Sequence, residues 1–136
     1  MPQPGQILCY ENFEFEDGST RDKLFVVLNN ADVDSLCLVL KTTSQPKRYE
    51  GAEKGCNQKK NVFFVPTGWE HCFKVDTYIQ LPQIIMIAND VLLAGDISRK
   101  IYVSSSLTSD CIKLLKNCLR QFKNDISVQH WKLIFK

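Results

Sequence analysis

Two groups of side chains in this sequence have types and spacing that could do chemistry. The first joins cations to hydroxyls. Arg21 and Lys23 lie two residues apart, and the run Thr42-Thr43-Ser44-Gln45 is followed by the basic stretch Lys47-Arg48, Lys54 and Lys59-Lys60. A cation beside a hydroxyl can oppose negative charge building on a phosphate. Each part also has an ordinary explanation. Arg21 and Lys23 read equally well as a solvated loop edge, and hydroxyl residues commonly satisfy backbone groups where a strand ends. A basic stretch is usually a solvated face, although beside Thr43 it can track an RNA backbone. The second group is Cys56, His71 and Cys72. One adjacent His-Cys pair with one distant cysteine lacks the paired spacing of a zinc site, so no metal is expected.

Six cysteines are present: Cys9, Cys37, Cys56, Cys72, Cys111 and Cys118. Several sit in apolar runs such as Leu36-Cys37-Leu38, which favours buried, reduced thiols over bridges. All six are therefore expected to be free. Residues 1–6 have neither the positive charge nor the apolar run of a secretory signal, so export is not expected and a cytoplasmic protein is. The apolar stretch around Ile84–Ala88 is too short to span a bilayer.

The elements that would position these groups are mostly strands. The 136 residues suit one domain, 1–136, and 44% hydrophobic content is enough for a core. Lys and Arg total 17 against 15 Asp and Glu, a formal charge of +2, so any contact with nucleic acid must be local. Ile7–Phe15 alternates loosely and a turn-forming loop, Glu16–Thr20, follows it. Leu24–Leu28 and Leu36–Leu40 are continuous apolar runs, the pattern of strands buried on both faces.

Lys47–Asn61 is polar and without period, and predicts a long mobile loop. Asn61–Val65 returns to strand character, and Phe73–Leu81 alternates as a half-exposed strand should. Pro82-Gln83 interrupts it, and Ile84–Leu93 with Arg99–Val103 predict a strand pair. Ser104–Ser109 offers N-caps for one clear helix, with Ile112, Leu115, Cys118, Leu119 and Phe122 on its apolar stripe. The tail, residues 127–136, is too apolar to be free and is expected to pack on the barrel or on a partner subunit. The sum is mainly β, a small half-open barrel with a C-terminal helix packed on it.

Three stretches then carry a resemblance. Met1-Pro2-Gln3-Pro4-Gly5-Gln6-Ile7, Phe13-Glu14-Phe15-Glu16-Asp17-Gly18-Ser19 and Lys23-Leu24-Phe25-Val26-Val27-Leu28-Asn29 resemble the opening of MazF/PemK toxins. Thr42-Thr43-Ser44-Gln45 is similar to the Thr-x-Gln strand end of that family, and Thr77–Leu81 to the strand where it usually places histidine and a carboxylate. The resemblance implies an SH3-like barrel, usually dimeric, that cleaves single-stranded RNA without a metal or cofactor through a 2′,3′-cyclic phosphate. It also implies a cognate antitoxin protein as partner, and no membrane.

On that resemblance the catalytic positions fall on Lys23, Thr43 and Arg21. Asp17, Ser19, Ser44, Gln45, Lys47, Arg48 and Thr77 are the expected substrate-binding residues. The sequence departs from the family where Lys23-Leu24 replaces an arginine-proline pair, Tyr78 stands for histidine and Gln80 for a carboxylate. Lysine offers a point charge where arginine offers a planar fork, which leaves room for weaker or lost catalysis. Two classes therefore stay open: an endoribonuclease toxin, and a non-catalytic barrel that binds a protein or nucleic acid.

Overall fold

A computed structural model describes residues 1–136. Strand β1 (Gln6–Glu14) turns back on β2 (Thr20–Val27), and a one-turn helix α1 (Ala31–Asp34) leads to β3 (Leu36–Thr43). Strands β4 (Gly55–Asn57), β5 (Val62–Val65) and β6 (Thr77–Ala88) follow, then helix α2 (Asn89–Ser98), strand β7 (Ile101–Ser106), and helices α3 (Ser109–Arg120) and α4 (Val128–Ile134). All the strands join one antiparallel sheet in the order β4-β5-β6-β3-β2-β1-β7, open at β4 and β7. The fold is therefore mainly β, half open, with helices at the C-terminal end, as the patterning predicts. No helix is long and apolar enough to cross a membrane.

The continuous apolar runs are central strands because the sheet is covered on both faces. Val26, Leu28, Leu38 and Leu40 point into a first core with Ile7, Phe63, Ile79, Leu115 and Leu119. Phe25, Val27, Cys37 and Val39 point the other way, into a second core with Leu8, Ile87, Leu92 and Ile101. Asn29 fixes the β2–β3 connection from inside. Its amide donates to Asp34 Oδ2 (3.0 Å) and the Leu36 carbonyl (2.9 Å), and its carbonyl accepts from the Leu38 N–H (2.7 Å).

Helix α3 is capped at Thr108, whose hydroxyl accepts from the Cys111 N–H. Buried Glu70 then accepts from both the backbone N–H (2.6 Å) and the hydroxyl (3.0 Å) of Thr108. The apolar tail packs on its own barrel as α4. Ile134 is buried in the first core, and Trp131, Leu133 and Phe135 pack against it.

Four expectations are corrected. Residues 47–61 are not a structureless loop. Lys47–Tyr49 and Gln58–Lys60 are single turns of tight helix around β4, and Tyr49 is buried against Tyr78 (5.4 Å between ring centroids). The strand expected at Phe73–Leu81 starts later, at Thr77, because Asp76 is held by the backbone and hydroxyl of Thr67. It also runs past Pro82. Between the pairs Leu40–Ile84 and Thr42–Ile79, β6 carries four residues, 80–83, against the single Lys41 of β3, and this bulge leaves Pro82, which has no N–H, outside the paired positions.

The predicted strand pair 84–93 with 99–103 does not exist. Residues 89–98 form α2, and β7 pairs with β1. Gly95 allows this: a Cβ there would lie 2.6 Å from Ile101 Cδ1. Finally, the cysteines are not all free. Cys56 and Cys118 form a disulfide with Cα atoms 5.6 Å apart, leaving Cys9, Cys37, Cys72 and Cys111 as thiols. Cys118 lies on the apolar stripe of α3 as expected, but β4 folds back onto that helix and brings Cys56 across a separation of 62 residues.

Candidate functional site

The second-core face of the sheet changes character along the strands. Strand β3 carries Cys37 and Val39 in the core, and period 2 then places Lys41 and Thr43 on the same face. Phe25 pairs with Lys41, and continuing that register sets Lys23 of β2 opposite Thr43. The Thr42 hydroxyl donates to the Leu24 carbonyl (2.9 Å), which ties the two strands together at this end. Arg21 lies two residues from Lys23 and shares its face. Apolar packing thus gives way to Lys23, Lys41, Arg21 and Thr43 where the two strands leave the core.

A bulge in β1 builds one wall. The β1–β2 register shifts between Tyr10 and Phe13, with Asn12 at φ 54° and its N–H donating to Asp22 Oδ1. The extra residue brings Phe13 to the same side as Tyr10, edge-on to it (5.3 Å) and to Phe25 (5.5 Å). Phe15 continues the wall 5.4 Å from Phe13, and the Arg21 guanidinium lies 4.6 Å above the Phe15 ring.

Three adjoining recesses result. The largest, about 630 Å³, runs from Phe13, Phe15 and Asp17 past Arg21, Lys23 and Lys41 to Thr43, Arg48 and Gln80. A second, about 190 Å³, is lined by Arg21, Lys23, Thr43, Ser44, Gln45 and Thr77 among others. A third, about 280 Å³ and wholly polar, is formed by Thr43, Gln45, Lys47, Arg48 and Gln80. Thr43 lines all three, and Arg21 and Lys23 line two.

Of the sequence-predicted residues, every one except Ser19 lines a recess. Ser19 sits behind Asp17, donating to its carboxylate from both backbone and hydroxyl. Those bonds, first the hydroxyl and then the backbone, hold the Asp17 carboxyl below its usual range. Sequence reasoning missed Lys41 and did not assign Gln80 a binding role. Lys41 was legible in principle, because it is two residues before Thr43 on a strand. Gln80 is fixed by donating its Nε2 to the Tyr49 hydroxyl (3.0 Å), a contact across the supposed loop.

The electrostatics favour an anion at Thr43. Burial, then Lys41, then Arg21 push the Lys23 ammonium down to about 8. The molecule's two ion pairs, at Asp32 and Asp34, lie elsewhere, so none of these mutually repelling cations is held in a salt bridge, and only Arg21 feels the charge of Asp17 at the rim. An anion would relieve that repulsion. Glu14, Glu16 and Asp17 stand at the hairpin rim of the same cleft. No histidine lines any of the three recesses, and Tyr78 is buried between Tyr49 and Phe64 rather than presented to them. Cys56, considered above as a metal ligand, is bonded to Cys118.

Compared with solved structures, the chain is similar to a chain of the crystal structure of MazE-MazF (Form-III) from Deinococcus radiodurans, with a TM-score of 0.58 and 17% identity. The match covers 90% of this chain and 96% of that one. No family model matches the sequence, and no curated protein matches it. At this identity the likeness is one of fold: a MazF-like fold.

Proposed function

We propose that this chain is the toxin of a toxin–antitoxin pair, an endoribonuclease that cleaves single-stranded RNA without a metal. The observation that carries the reading is the meeting of Lys23, Arg21 and Thr43 at the junction of three recesses in a MazF-like fold. The 2′-hydroxyl of the substrate attacks the adjacent phosphorus, the 5′-oxygen leaves, and a 2′,3′-cyclic phosphate forms. Because the nucleophile is internal, no metal-activated water is needed.

Lys23 and Arg21 oppose the charge of the phosphorane, and the Thr43 hydroxyl positions a phosphate oxygen. Asp17, ionised at neutral pH, supplies an acceptor at the rim. Ser44, Gln45, Thr77, Lys47 and Arg48 hold the flanking nucleotides, and Ser19 acts through Asp17. The protein works as a homodimer in the cytoplasm and is held in check by its antitoxin. The dimer does not depend on the tail, which its own barrel already covers.

The test is to incubate purified protein with single-stranded RNAs of varied sequence in EDTA. Cleavage leaving cyclic phosphate ends, with DNA untouched, is the expected result. RNA left intact removes the catalytic reading. One set of observations favours a second reading, a non-catalytic binding module: the recesses have no histidine, and Lys23-Leu24 stands where the resemblance calls for arginine-proline. RNA that binds but is not cut would establish it.

A further inference from the structure

The segment between β3 and β5 supplies Lys47 and Arg48 to the polar recess beside Thr43 and then forms β4. Strand β4 is three residues long and lies at the edge of the sheet, held by three register pairs to β5. Its other ties are local and non-covalent. Tyr49 stacks on Tyr78 and receives the Gln80 hydrogen bond, and the Lys54 ammonium lies 4.4 Å above the Trp69 ring. The one covalent tie from this segment to the body of the protein is Cys56–Cys118, from β4 to the middle of the first core.

We propose that the Cys56–Cys118 disulfide is a redox clamp: closed, it pins the 47–60 segment and keeps Lys47 and Arg48 beside Thr43, and opened by a small thiol reductant it frees that segment and weakens the hold on RNA. The effect on RNA rests on the reading of the cleft given above; the clamp itself does not.

Access is one-sided. Cys56 is exposed, whereas Cys118 is buried. A reductant thiolate attacks the Cys56 sulfur, the S–S bond breaks, and Cys118 leaves as a thiolate that takes up a proton. A second reductant thiolate then attacks the reductant sulfur of the mixed disulfide, releasing Cys56 as a thiol. The balance is one protein disulfide plus two thiols giving two protein thiols plus one small disulfide. The remaining cysteines do not compete. Burial pushes the thiols of Cys37, Cys72 and Cys111 up to about 12, 11 and 12, and Cys9 is buried. In reducing compartments disulfides are rare and, where present, usually transient or redox-sensing, the role proposed for this one.

The experiment compares oxidised protein, protein reduced with dithiothreitol, and C56S, whose exposed position spares the core. Thiol counts on denatured protein should be four before reduction and six after. Hydrogen exchange across residues 47–60 should quicken roughly tenfold on reduction, and a non-cleavable 2′-O-methyl RNA oligonucleotide should bind about tenfold more weakly. The C56S protein should match the reduced state and ignore the reductant. Unchanged exchange of 47–60 in both reduced protein and C56S overturns the clamp. Quickened exchange with no RNA bound in either state supports the clamp and removes the RNA reading instead.

Discussion

If Lys23 meets a phosphate, RNA affinity must follow its titration. In the free protein its ammonium titrates near 8, against 10.5 for an ordinary lysine, through burial first and the charges of Lys41 and Arg21 second. A bound phosphate returns it toward the ordinary value, so binding takes up a proton above pH 8. The protonated share falls from about 97% at about pH 6.5 to about 3% at about pH 9.5, and Kd should rise about 30-fold across that interval. The stability effect of the same group has the opposite sign. Between pH 8 and 10.5 the unfolded chain binds more protons than the folded one, so this residue's contribution to folding grows as pH rises. Loss of affinity in that window is therefore not unfolding. Fluorescence anisotropy with a 2′-O-methyl oligonucleotide of adenine and cytosine, which do not titrate there, reads the Kd. K23R should hold its affinity across the window, and K23A should be weak and flat. A wild-type Kd that is constant with pH, or a K23R slope equal to the wild-type one, would refute the placement of phosphate at Lys23.

Three further outcomes follow from contacts described above. The Thr43 hydroxyl accepts only the Gln45 N–H (3.2 Å), so T43A should cleave RNA roughly 100-fold more slowly while keeping its thermal midpoint. Removing Asn29 leaves the Leu38 N–H and the Leu36 carbonyl without their partner inside the sheet. N29A should lose about 2–3 kcal/mol in urea unfolding, and a loss under about 0.5 kcal/mol would contradict that account. Glu70 is the acceptor for the Thr108 N–H, so E70A should lose about 2 kcal/mol in the same assay and speed hydrogen exchange in the first turn of α3.

What the sequence revealed depended on whether a segment's surroundings were local. Leu24–Leu28 and Leu36–Leu40 are apolar on both faces and had to be central strands. The Ile112–Phe122 stripe had to be a helix. Helix α2 was hidden because only Leu92 and Gly95 are buried on it, while Val91, Leu93 and Ile97 are exposed. A helix with so little apolar–polar division reads as an apolar strand. The strand β6 was hidden by Pro82, since the bulge at residues 80–83 that accommodates it shows only in the pairing with β3 and not in the local apolar pattern. The disulfide needed knowledge that β4 returns to α3. At the site, Lys23, Arg21 and Thr43 were reached through the resemblance, and extending the Phe25–Lys41 register between β2 and β3 sets Lys23 opposite Thr43. Lys41 obeyed the same alternation and went unread, and the Gln80–Tyr49 contact was invisible because Tyr49 lay in what looked like a loop.

The pairing of β1 with β7 also governs the order in which the molecule can be completed during synthesis. Gln6 is matched to Ser106, so the first strand waits on the ribosome for a partner that is a hundred residues behind it. Strands β1 to β3 emerge early and can form hairpins at once. Yet the face carrying Ile7, Val26, Leu28, Leu38 and Leu40 is only partly covered, by Phe63, Val65 and Phe73, until α3 and α4 arrive, and the opposite face waits for α2. Long-range closure of this kind slows folding and leaves apolar strands uncovered in the interval. A nascent chain stalled before residue 109 therefore has its α2 side covered and its opposite side still short of α3 and α4, a one-sided sheet open to association.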